Sequence, residues 1–231
     1  MLRLGLEAVD GALPEGGLRL GSVHEIGGVG EADAMGAATG FCVALLRRLA
    51  REALPGAGAV LWCTARDDLY APGLIRFGLD PDRLIVVRAR RREDRLWAME
   101  EGLGCPALSA VVCEARPPGP TEGRRLQLAA ERGGVTGFLL HRPEAVPGRG
   151  GAGPASAAAT RWRLSAIPGE APEVGGIDAP RWRAELLRCR GGMRRVWVME
   201  WDHETGGFRL AAALRHGPSG PARAPARRRS A

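Results

Sequence analysis

Along the first 140 residues, short apolar runs alternate with longer stretches in which apolar positions return at helical spacing. Leu18 to Ile26 predicts a first strand, after which Gly27, Gly28 and Gly30 open a loop. Ala38, Phe41, Cys42, Leu45, Leu46 and Leu49 then recur at i, i+3, i+4 and i+7, with Arg47, Arg48 and Arg51 off the stripe, the signature of an amphipathic helix. Ala59 to Thr64, Leu84 to Val87, Ala110 to Cys113 and Phe138 to Leu140 predict further strands. Between them, Leu96, Met99 and Leu103 mark one helix, and Leu126, Ala129 and Ala130 mark another that Gly133 and Gly134 stop. Strands alternating with helices in this way predict βαβ units and a buried parallel sheet.

Beyond residue 160 the period changes to two. Trp162, Leu164 and Ala166 alternate with Arg161, Arg163 and Ser165, and Trp182, Ala184 and Leu186 alternate with Arg181, Arg183 and Glu185. Half-buried antiparallel strands have this pattern. Val196 to Trp201 predicts the next strand, and Asp202 to Gly207 a turn into Phe208, Arg209 and Leu210. The Gly, Pro and Ala stretch 143–159 carries no periodicity that could bury a face and predicts a mobile loop. We therefore expect one core domain over 1–215 and a disordered basic tail over 216–231.

Composition removes whole classes of chemistry. All 33 basic residues are Arg, and the chain contains neither Lys nor Asn, which excludes a Schiff base, a pyridoxal anchor and a phosphate-binding lysine. Five cysteines without a Cys-x-x-Cys pair indicate neither a disulfide framework nor a zinc knuckle, so they predict reduced, mostly buried thiols. No apolar run approaches the roughly 20 residues of a membrane span, which leads us to expect a cytoplasmic protein. The net charge of +7 is uneven: residues 1–140 hold 17 Arg against 18 acids, and 141–231 hold 16 Arg against 8. Such asymmetry suits a polyanionic partner, although a solvated basic face would look the same.

A strand, a glycine-bearing loop and an amphipathic helix are the layout of a phosphate-binding P-loop. The loop GGVGEADAMGAATG lacks the Lys and the adjacent hydroxyl, and Glu31 and Asp33 would repel phosphate. No metal-ligand spacing or nucleophile elbow is present, so no cofactor is expected. Asp67 and Asp68 follow a strand end and suit capping of the next turn. In a period-two strand the Trp of each Arg-Trp-Arg faces away from its neighbours, which puts Trp in the core and leaves Arg161, Arg163, Arg181 and Arg183 as a surface for a polyanion.

Several segments resemble the RecA ATPase core: LPEGGLRLGSVHEIGG its first strand and loop, FGLDPDRLIVV its third strand, SAVVCE its Walker B strand, and PRWRAELLRCRGGMRRVWVMEWD its two antiparallel strands. LWAMEEGL, RRLQLAAE, SAAATRWRL and RWRAELLRCRGG together resemble the ImuA family, RecA-like accessory proteins of bacterial damage-induced mutagenesis. The resemblance runs from about Leu13 to Leu214. It implies an α/β fold with a RecA-like three-layer core, a mostly parallel sheet with helices on both faces, extended by C-terminal antiparallel strands.

Position by position it mainly implies losses. Gly27, Gly28 and Gly30 keep the loop, but Asp33 stands at its second Gly, Ala34 at its Lys and Met35 at its hydroxyl. Arg66 stands where RecA has its catalytic Glu, and Glu114 matches the Walker B acid. The resemblance thus implies a non-catalytic scaffold in SOS translesion synthesis. Its partner would be an inactive, ImuB-like Y-family polymerase homologue and, through it, an error-prone replicative-type polymerase. Two alternatives are a divergent RecA-type DNA-dependent ATPase and a SulA-like cell-division inhibitor. Any DNA binding is expected to be weak and non-specific, carried by Arg161, Arg163, Arg181 and Arg183 and by the tail's Arg223, Arg227, Arg228 and Arg229. About 17 residues precede the first strand, too few for RecA's N-terminal helix, strand and linker, so no filament is expected. An acceptor surface on the core would instead take such a segment from the polymerase homologue.

Overall fold

The computed structural model describes residues 1–29, 34–52, 58–141, 156–168 and 179–211. In chain order the elements are α1 (Glu7–Asp10), β1 (Val23–Gly28), α2 (Ala34–Glu52), β2 (Ala59–Thr64), α3 (Ala71–Arg76), β3 (Leu84–Arg88), α4 (Arg92–Leu103), β4 (Leu108–Glu114), α5 (Pro120–Gly133), β5 (Thr136–His141), β6 (Thr160–Ala166), β7 (Arg181–Cys189), β8 (Arg195–Asp202) and β9 (Gly207–Leu210). They form an α/β fold around one nine-stranded sheet of order β3-β2-β4-β5-β1-β6-β7-β8-β9. The six strands from β3 to β6 run parallel, and β7, β8 and β9 extend the sheet antiparallel. The parallel sheet with antiparallel extension read from the apolar runs is the observed one.

Helices cover both faces. The α2 stripe packs over Ile26, Trp62, Val112 and Phe138, and continues over the antiparallel strands. There Phe41 stands at the centre of an aromatic cluster, with ring centroids 5.7 Å from Trp162, 5.8 Å from Trp182 and 5.6 Å from Phe208. Both Trp of the Arg-Trp-Arg strands are thus core residues, as period-two alternation requires. On the opposite face Leu96, Met99 and Leu103 of α4 and Leu126, Ala129 and Ala130 of α5 pack against Val111, Cys113 and Leu139. Cys42, Cys63 and Cys113 are free and buried, Cys189 is half-buried and Cys105 exposed.

Three expectations are corrected. The first strand begins at Val23, because Leu18 pairs with Leu2 in an isolated bridge (N to O 2.7 and 2.8 Å) and the chain turns at Gly21 before joining the sheet. The sequence reading places no helix between Thr64 and Leu84, where α3 lies, whereas the amphipathic helix after the glycines is α2. The stretch expected to be a mobile loop has a fixed end: Ser156 donates to Glu25, and the Ala159 N–H donates to the Val23 carbonyl at 2.8 Å. Residues 142–155 and the tail lie outside the described residues.

Candidate functional site

β1 is the central strand, and its C-terminal end delivers the glycine loop to the start of α2. Gly28 is glycine for a steric reason: a Cβ there would overlap the carbonyl of Ala34. The end of β1 and the first residue of α2 are therefore in close backbone contact. Ala34, the first of these α2 residues, is buried, and Met35 packs against the core. Gly27 pairs with His141 of β5 and Arg163 of β6 within the sheet. Gly30 and Asp33 lie outside the described residues.

Along the first turns of α2 a cavity of about 430 Å³ lies between that helix and the segment after β2. Met35, Val43, Leu74 and Phe77 give it apolar walls, while Arg66, Asp68 and Glu114 supply charge. Arg66 is ion-paired to Asp68 at 2.5 Å, and neighbouring Asp67 is paired to Arg88 at 2.5 Å, so these carboxylates hold guanidinium groups rather than cap a turn. Two carboxylates and one paired guanidinium make a poor receptor for a triphosphate.

The Glu114 carboxylate is engaged on both oxygens. Trp62 Nε1 donates to Oε1 at 2.8 Å and Thr64 Oγ1 donates to Oε2 at 2.9 Å. Sequence reading singled out Glu114 but missed these two partners, although alternation along AVLWCT puts Trp62 and Thr64 on one face of β2. Arg95 was missed as well. It is buried and donates to the carbonyls of Glu114, Ala89 and Arg90, each at 2.8 Å, tying the ends of β3 and β4 to α4.

Two further polar networks lie in the frame, one on the central strand and one between helices. The His24 ring lies between Thr160 Oγ1, 2.8 Å from Nδ1, and the Arg19 carbonyl, 2.9 Å from Nε2. A carbonyl only accepts, so Nε2 carries the proton and Nδ1 accepts from the hydroxyl, which in turn accepts from Trp162 Nε1 at 3.0 Å. Burial lowers the His24 pKa from 6.5 to about 4, against the raising effect of the Arg19 carbonyl. On the other face, Arg92 and Glu122 form a two-bond pair (3.0 and 2.8 Å) that joins the starts of α4 and α5. That pair, with the Gly119 N–H, lowers the Glu122 pKa to about 2.

The expected four-arginine surface is corrected. Arg161 is buried against Glu25, with Nε 2.6 Å from Oε2 and side chains 7% and 1% exposed. Arg163 and Arg183 share Glu185, and Arg181 pairs with Glu200. The cause is strand register: Arg161 lies directly opposite Glu25, Arg163 opposite Glu185, and Arg181 opposite Glu200. The structure brings the four together on one face with their charge largely neutralised. Arg223, Arg227, Arg228 and Arg229 lie outside the described residues.

A mostly parallel sheet with helices on both faces, whose central strand leads through a glycine-bearing segment into an amphipathic helix and which antiparallel strands extend, defines the class: an open-sheet α/β protein. Over 223 residues the chain is 42% identical to Protein ImuA of Caulobacter vibrioides, in strain NA1000 / CB15N and equally in strain ATCC 19089 / CIP 103742 / CB 15, covering 93% of this chain and 90% of each of those proteins. The chain belongs to the ImuA family. No protein-family model matches it. Among solved structures, SulA from Pseudomonas aeruginosa aligns at 19% identity and a TM-score of 0.43, over 52% of this chain and 98% of that one. Among the described residues no helix is long and apolar enough to cross a membrane.

Proposed function

We propose that this protein is a non-catalytic accessory factor of DNA-damage-induced mutagenesis, which holds an inactive Y-family polymerase homologue and thereby serves translesion synthesis by an error-prone replicative-type polymerase. The observation that carries the reading is family membership at 42% identity over nearly the whole chain. The substitution of Ala34 and Met35 into the phosphate loop and the engagement of Glu114 by Trp62 and Thr64 support the non-catalytic part. For the partner, support comes from β3, which forms one edge of the sheet and leaves Ile85 48% and Val86 45% exposed. An open edge with apolar side chains on both faces suits a strand added from another chain.

Two measurements test this. Isothermal titration with ATP and magnesium should give no binding heat at the loop, and micromolar affinity would overturn the non-catalytic reading in favour of an ATPase. Co-purification with the polymerase homologue from the same genome should give a defined complex and no extended polymer by light scattering. Ile85→Lys with Val86→Lys should weaken that complex at least tenfold, and unchanged affinity would remove β3 as its site.

A further inference from the structure

The charge that register removes from the strands reappears at the turn between β7 and β8. Arg188, Arg190, Arg194 and Arg195 lie within eight residues there, and none makes an ion pair among the described residues. By contrast, Arg161, Arg163, Arg181 and Arg183 are ion-paired to three glutamates, Glu25, Glu185 and Glu200. Two of the four are held in place without being neutralised: Arg188 donates to the Ser156 carbonyl, and Arg190 Nη2 donates to the Ala157 carbonyl at 2.9 Å. A guanidinium bonded to a neutral carbonyl keeps its full charge and has donors to spare. Arg194 and Arg195 are exposed, and their side chains make no hydrogen bond among the described residues. Between the two pairs, Met193 is 56% exposed, while its own N–H donates to the Ala12 carbonyl at 3.4 Å and anchors the turn on the N-terminal segment.

We infer that this hairpin tip is a docking surface for the phosphodiester backbone of single-stranded DNA. Two fixed and two free guanidiniums provide non-specific phosphate contacts, since Arg matches phosphate with paired donors and no base edge need be read. Met193 adds an apolar surface at the centre of the charge, of use only to a ligand whose bases are unstacked and accessible, which favours a single strand over a duplex. The tip adjoins the strand arginines, since Arg188 lies opposite Arg161 across the β6–β7 ladder, but among the described residues its four guanidiniums hold no carboxylate. The inference is also independent of the accessory role, so a failure to bind the polymerase homologue leaves it standing.

Fluorescence anisotropy with a labelled single-stranded oligonucleotide, over a salt series, tests it on the full chain. Losing two phosphate contacts at about 0.7 each should lower the salt slope by about 1.4 and, near 0.1 M salt, weaken binding by about 25-fold. That is the result expected for Arg194→Ala with Arg195→Ala. Arg194→Lys with Arg195→Lys keeps the charge and should retain the slope. Arg163→Ala with Arg183→Ala, and separately glutamine at Arg223, Arg227, Arg228 and Arg229, should each change it less than the tip pair. Wild-type affinity in the tip alanine pair, an equal loss from the strand pair, most of the slope residing in the tail, or tighter binding of duplex would each overturn the proposal. Should the alanine pair shift the thermal melt, the lysine pair decides: loss of binding in a normally folded lysine variant would also count against it.

Discussion

Acidification over a range in which few side chains titrate should destabilise this protein through His24. The ring is buried and neutral, with Nδ1 accepting from Thr160 and Nε2 donating to the Arg19 carbonyl. A proton added at Nδ1 turns that acceptor into a donor facing a hydroxyl oxygen that already accepts from Trp162, and it places a charge where water does not reach. The folded pKa, about 4, lies below the unfolded 6.5. Between those values the unfolded chain binds the extra proton, so stability is complete above pH 6.5 and declines as pH falls towards 4. Integrated from pH 7 to pH 5, the loss is about 2 kcal/mol, growing to about 3 kcal/mol below pH 4. For a domain of this size 2 kcal/mol corresponds to a drop of about 4–8 °C in Tm. The Glu122 pair contributes in the same direction as pH falls from the unfolded value of 4.5 to the folded value of about 2, so the pH 5 to 7 interval separates the two. Denaturant unfolding followed by fluorescence of the buried tryptophans, compared with His24→Gln, measures it. Gln retains a donor for the Arg19 carbonyl and cannot titrate, so the pH slope should flatten even if its absolute stability is lower. An equal fall from pH 7 to pH 5 in both proteins would refute the argument.

Two substitutions probe the frame around the loop. Arg161→Ala leaves Glu25 as a buried charge beside Ser156 alone and should cost about 3–5 kcal/mol in urea unfolding, whereas Glu25→Leu with Arg161→Met should recover most of the loss. Gly28→Ala forces a methyl group against the Ala34 carbonyl and should cost about 3 kcal/mol or more, while Gly36→Ala, in open space on α2, should be neutral or stabilising by up to about 1 kcal/mol; equal effects would show that the close approach at Gly28 is not a constraint.

Hydrophobic periodicity by itself determined most of the fold. Ala59 to Thr64 forms its strand with the expected bounds, and the helix stop at Gly133 and Gly134 is where Gly134 N–H returns to Ala130. The antiparallel strands bury Trp162 and Trp182 because period two leaves no other face for an indole. Family was equally legible: the segments that resemble ImuA lie in a chain 42% identical to the Caulobacter vibrioides protein. Pairings across distant chain positions were not legible. Glu25 and Arg161 are 136 residues apart, as are His24 and Thr160, and only parallel registration of β1 with β6 puts each opposite its partner. A one-residue slip of that pairing would have turned Arg161 and Glu25 to opposite faces and left each without its counter-ion. Alternation says which residues share a face. Register, set by the packing of the whole sheet, decides which charges meet there, and so whether an arginine serves the core or a polyanion.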